Sequence, residues 1–389
     1  MTDRPPRDDW SVISVPVEGP IPQEVRTEED EIDPAGPVAP VGPDGPRGRP
    51  GSRIFSLEDR PTPGIYLLAW LLSGAGAATL AIAILSGAPG VAPILALAGL
   101  SALGLGLALA GGYQLVARAA RPAAAYRGPS PLILFGVVFC AGSLLGAVLA
   151  LAQVDPARPL GFLSRIVILG IAYVTVVWLF VVRGGALRWS EMGWPRWRVP
   201  DARGGERARV LADALYAIVI MSVTAIAALL GASVLARLLD VSSTSVGIPA
   251  PGTSLETVAL VLAVAIVAPV GEELFFRGFA LTAWWRDLGG RRALVRSSIF
   301  FALLHIASIE SASLGEGLAL VVVRVAVILP IGFVLGWLFI QRGIVGSIFG
   351  HVTYNAVQLG LYLVALSAGL APSATIGSGL GWVGAIQGW

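Results

Sequence analysis

From about residue 64 the chain alternates strongly apolar stretches with short polar connections. A helix rises about 1.5 Å per residue and needs about 20 apolar residues to cross a bilayer, so the pattern predicts membrane-spanning helices. Nine spans are read, at 65–85, 91–116, 131–153, 164–182, 210–236, 257–276, 297–315, 318–340 and 344–366. The seventh is shortened by Glu310 and several small polar residues. Before them the pattern disappears. Residues 1–33 are acidic, with the run Glu28-Glu29-Asp30-Glu31, and residues 34–52 are dominated by Pro and Gly. Such a segment cannot bury enough apolar surface to offset chain entropy. The expected division is a disordered tail at 1–62, N-terminal transmembrane helices and an interfacial loop at 63–209, and a membrane core at 210–389. The tail lacks a cleavable signal pattern, so the first span is expected to target the chain.

Composition agrees: 55% of residues are hydrophobic and 13% charged, against about 25% charged in ordinary soluble domains. The fold class is therefore an all-α polytopic integral membrane protein. The formal net charge of +2 says little, because charge is segregated by region. Arg-rich connections at 117–130, 183–209 and 277–296 alternate with nearly Arg-free ones, Arg158 in the loop 154–163 being a mild exception. Arg and Lys mark cytoplasmic loops, which places the N-terminus in the cytoplasm and the C-terminus outside the cell membrane. Loop 183–209, with Trp189, Trp194 and Trp197 among its arginines, reads as an amphipathic or re-entrant piece at the inner interface. The absence of Lys excludes Schiff-base lysine chemistry and hints, by composition alone, at a GC-rich bacterial genome. The single cysteine, Cys140, lies in an apolar span and reads as a buried, inert thiol.

Against this background, ionisable residues in apolar segments stand out, since a charge in hydrocarbon is costly and marks a functional site by default. The segment Gly271-Glu272-Glu273-Leu274-Phe275-Phe276-Arg277-Gly278 carries three of them. On a helix Glu273 and Arg277 are spaced i, i+4 and can pair, while Glu272 points about 100 degrees away and is left as the free carboxylate. The bland alternative is a buried ion cluster that only fixes packing. The only two histidines, His305 and His351, lie in other predicted spans, and His351 shares a helix face with Asn355. By helical rise, His305 lies about 12 Å, His351 about 10 Å and Glu272 about 9 to 20 Å deep, so all three can meet in one layer. A carboxylate and two imidazoles there suit peptide hydrolysis: Glu272 takes a proton from a water that His305 positions, and His351 with Asn355 donates to the oxyanion. Glu273 and Arg277 hold the acidic helix. No His-Glu-x-x-His motif, transmembrane aspartate pair or Gly-x-Ser-Gly segment is present. No cofactor is required, with a Zn2+ site on Glu272, His305 and His351 as the alternative.

The ordered set Glu-Glu-x-x-x-Arg, Phe-x-x-x-His and His-x-x-x-Asn, here Glu272 to Arg277, Phe301 to His305 and His351 to Asn355, resembles the CPBP family of CAAX prenyl protease and bacteriocin-processing intramembrane proteases. The resemblance covers roughly residues 210–366. It implies that Glu272 is the catalytic glutamate, His305 its water-positioning partner, and His351 with Asn355 the oxyanion pair, with Glu273 and Arg277 at the remaining motif positions. The expected partners are the lipid bilayer and a membrane-associated peptide or protein substrate, with no nucleic acid. The rival readings are a non-proteolytic scaffold or bacteriocin-immunity protein, and a proton-coupled transporter using Glu272 and the histidines as a relay. Among other polar groups, Arg324 is expected to snorkel or pair with Glu310 or Glu316, Pro330 to kink its helix, and Trp284-Trp285 with Arg286 to anchor at the interface.

Overall fold

The computed structural model describes residues 56–57, 60–86, 90–195, 205–240, 248–306, 309 and 313–369. The acidic tail, Trp197 and Glu310 lie outside the described residues. Apart from a two-residue antiparallel ladder, Ser56–Leu57 with Arg60–Pro61, the fold is helical. In chain order the helices are α1 (Pro63–Ser86), α2 (Ala92–Ala117), α3 (Pro131–Leu151), α4 (Pro159–Val182), α5 (Gly205–Leu238), α6 (Ser254–Leu288), α7 (Gly290–Ile306) and the long run Leu314–Ser367. That run is two helices, α8 (314–342) and α9 (344–367), because Gly343 between them has φ +65° and ψ −165°. Only glycine adopts this region readily, and the chain turns there without a loop.

Among the described residues, helices lie over each of the predicted spans, with corrections at the seventh span and at the connection before it. Among the described residues seven helical runs are long and apolar enough to cross a membrane, the last being α8 and α9 together, and α7 is not among them. The 297–315 span is displaced: the helix begins at Gly290, takes in Arg291, Arg292 and Arg296, and ends at Ile306. Nor is 277–296 a loop. Helix α6 continues to Leu288, and a single left-handed glycine, Gly289 at φ +79°, turns it into α7.

Helices α2, α3 and α4 begin with Pro in the first turn, where a missing N–H costs nothing. Helices α1 and α2 approach so closely at Gly76 and Gly106 that a Cβ there would fall within 2.5 Å of the neighbouring backbone. Helix α6 is the most enclosed span and packs against α4, α7, α8 and α9. Its aromatic run Phe275, Phe276 and Phe279 is fully buried, with Tyr173 of α4 against Phe275 at 5.2 Å. Cys140 is buried, as expected.

Two other expectations change, at Pro330 and at Trp284. Pro330 leaves the dihedrals of α8 helical, and the break falls at Gly343 instead. Trp284 is buried beneath Arg296 and edge-on to Phe300, so it packs inside the protein and is not an interfacial anchor. Arg286 binds Glu191 at 2.7 Å. Arg324 donates to the His305 carbonyl at 3.0 Å. The described part of loop 183–209 is docked on the bundle. A 3-10 turn at Trp189–Met192 ends at Gly193, whose carbonyl accepts from Ile344 N–H at the α8–α9 break, at 3.3 Å.

Candidate active site

The acidic motif sits where α6 is not a regular α-helix. Wide π turns run over Leu262–Val267 and Leu274–Leu281, flanking Ala268–Glu273. The first has a cause in the sequence. Pro269 has no N–H and its ring crowds the preceding turn, so the backbone widens ahead of it. Ala268 N–H then reaches back to the Ala263 carbonyl. The Val264 carbonyl is left without a helical donor: its i+4 partner is taken and its i+5 partner is Pro269. Asn355 of α9 supplies the missing bond, its Nδ2 donating to Val264 O at 2.9 Å. Pro269 thus creates the acceptor that ties α9 to α6.

One turn after Pro269, Glu273 is the hub of a buried network. Its Oε1 accepts from Arg277 at 2.8 Å and from His351 Nδ1 at 2.8 Å, and its Oε2 accepts from Ser347 Oγ. Arg277 also reaches the Gly332 carbonyl of α8 at 3.4 Å and lies over the Phe301 ring of α7, 4.1 Å from its centroid. The i, i+4 pair expected of Glu273 and Arg277 is present, fully buried and extended to three further helices.

Glu272 is different. It is 5% exposed, accepts no hydrogen bond among the described residues, and has its Oε2 3.8 Å from His351 Nε2. Because a carboxylate can only accept, His351 donates from Nδ1 to Glu273 and turns Nε2 toward Glu272. His305 Nδ1 lies 2.8 Å from the Phe301 carbonyl, again an acceptor, so in a neutral ring its Nε2 is the acceptor. The Phe301 ring separates the histidines, 4.5 Å from the His305 ring centre and 5.8 Å from that of His351.

The six residues singled out from sequence therefore converge, but not all in the expected contacts. Glu272, Glu273, Arg277 and His351 form one connected cluster, His305 joins it across Phe301, and Asn355 is bonded to backbone. Asn355 Oδ1 is buried without a partner, and beyond it Tyr354 and Gln358 adjoin each other outside hydrogen-bond geometry. Ser347 was missed. Its one sequence signal is its place one turn before His351 on the same helix face. Among the described residues no group of three or more His, Cys, Asp and Glu side chains is arranged to hold a metal ion. The Glu272, His305 and His351 set proposed for zinc does not form such a group here.

Residues 254–357 match the model of the Rce1-like family, type II CAAX prenyl endopeptidases. The matched segment is narrower than the 210–366 resemblance and contains all six site residues. The chain matches no curated protein. It matches no solved structure.

Proposed function

We propose that the chain is an intramembrane endopeptidase that hydrolyses a membrane-associated protein or peptide, with Glu272 as the general base. The observation that carries this is the state of Glu272: a buried carboxylate with no hydrogen-bond donor, facing an imidazole already held by Glu273. A buried carboxylate kept without a donor is poised to take a proton from water. Buried amide atoms without a protein partner, such as Asn355 Oδ1, are of the kind that ordered water satisfies in protein interiors.

In this scheme Glu272 removes one proton from the water while the other O–H is directed to the Nε2 lone pair of His305. The water oxygen attacks the scissile carbonyl. The developing oxyanion is met by His351 Nε2–H and by the second amide N–H of Asn355, the first being fixed on Val264. For His351 to donate to both Glu273 and the oxyanion it must carry two protons, which balances Glu272, Glu273 and Arg277. Glu272 then returns its proton to the leaving amine, breaking the C–N bond.

Comparing membrane proteomes from cells carrying wild-type protein and Glu272→Gln tests this. General-base removal lowers rates by about 10²–10⁴-fold, so uncut substrate should accumulate with Glu272→Gln while the purified variant still folds. Identical peptides from both cell types would overturn the proposal and favour a scaffold.

A further inference from the structure

Away from this site, helices α2, α3 and α4 enclose a cleft of about 530 Å³ that is overwhelmingly apolar. Leu97, Leu100 and Ala147 line it, and Arg165 and Ser143 give it polarity. Its size falls in the range of about 300–1,000 Å³ typical of ligand cavities.

Arg165 is the anomaly. It lies about 9 Å along α4 from Pro159, inside the span, where an unpaired cation is costly. Among the described residues it has no ion pair, and the nearest acid in sequence, Asp155, is paired with Arg158 at 3.8 Å. Its guanidinium does not run out along α4. Nε and an Nη both stand 4.0 Å from where a Gly146 Cβ would be, so the charge lies across α3 inside the cleft. One turn away, Ser143 is 8% exposed and its Oγ has no partner. Other Ser and Thr residues in the helices, among them Thr79, Ser101, Ser164, Thr224, Ser233, Thr257 and Thr353, donate to the carbonyl four residues back. Ser143 forgoes that bond while lining the cleft.

We propose that this cleft binds one anionic glycerophospholipid, its phosphate on Arg165 and Ser143 and an acyl chain along Leu97, Leu100 and Ala147. Arg meets phosphate through two parallel N–H donors, and the apolar walls accept a chain that needs no polar partner. The ligand supplies the counter-charge that the protein withholds.

The test uses the full chain in detergent, with lipid retention measured by native mass spectrometry at equal mole fractions of phosphatidylglycerol and phosphatidylcholine. Wild type should hold one phosphatidylglycerol in preference to phosphatidylcholine by about tenfold or more, and inorganic phosphate should not displace it. Arg165→Gln should abolish the preference, whereas Arg165→Lys, keeping the charge, should retain part of it. Equal retention of both lipids by wild type, or an unchanged preference in Arg165→Gln with a normal melting profile, would overturn the proposal. No arm depends on cleavage, so its failure is separate from failure of the protease reading.

Discussion

Glu273 accepts from Arg277, His351 and Ser347, and each donor comes with a different dependence on charge. Ser347 is the neutral one. Replacing it by Ala leaves Oε2 of a buried carboxylate short of a donor, a loss of about 1–3 kcal/mol. A lowered melting temperature with cleavage reduced but retained is expected for Ser347→Ala, because Arg277 still fixes Glu273 and Glu273 still orients His351. Complete loss of activity at unchanged stability would instead place Ser347 in the chemistry. Much of this network was legible. Two acids and an Arg at i, i+4 in hydrocarbon need partners, and two histidines offer few ways to arrange them. Ser347 was not legible, since a Ser beside Gly346 in an apolar run looks like any small packing residue, and its partner is 74 positions away.

At the scale of the helix, α6 and α9 are joined by a backbone defect. If Pro269 orphans the Val264 carbonyl and Asn355 satisfies it, the two residues are energetically coupled. Asn355→Ala should destabilise the protein by about 1–3 kcal/mol, the cost of an unsatisfied buried acceptor. Adding Pro269→Ala restores an N–H that can reach Val264, so the double variant should recover part of that loss. A double-mutant cycle in chemical or thermal denaturation reads the coupling, expected at about 0.5–3 kcal/mol, and strict additivity would show that Asn355 is held for another reason. The catalytic loss in Asn355→Ala should persist in the double variant if the second amide N–H meets the oxyanion. The widened turns themselves could not be read from the sequence. A span apolar on all sides has no hydrophobic phase to slip, so an extra residue in the turn leaves no mark on the pattern. The two Pro residues act differently: Pro269 distorts its helix, whereas Pro330, expected to kink its own, leaves the dihedrals helical. Gly343 makes the break that α8 was expected to find at Pro330.

For the molecule as a whole, the Arg-rich connections gather at one end of the bundle. The connections rich in Arg meet around the last turn of α6. Arg121 pairs with Asp287 at 3.2 Å and Arg286 with Glu191 at 2.7 Å, so both flanking loops are clamped to the helix that carries the acidic motif. The positive-charge pattern gives the side of a loop but not its docking, which depends on single acids such as Glu191 and Asp287. The candidate catalytic side chains are nearly enclosed, none more than 5% exposed, so substrate entry requires elements to part, and these clamps oppose parting at one end.

One clamp is pH-sensitive. Burial alone would raise the Glu191 carboxyl, but hydrogen bonds from Arg188 N–H at 2.5 Å and from Arg286 outweigh it and hold it below its ordinary value of 4.5. A carboxyl lowered by folding contributes stability that is complete above its unfolded value and is lost as pH falls through the lower folded one. Amide exchange across 188–194, corrected for intrinsic rates, should therefore be protected and flat from neutral pH down to about 4.5, then lose protection on further acidification. Glu191→Gln should show weakened protection at neutral pH and no such step. Unchanged protection in Glu191→Gln would mean that buried Met192, the Trp189–Trp194 pair and the Gly193–Ile344 bond hold the loop without the ion pair. The clamp would then not control how the bundle opens.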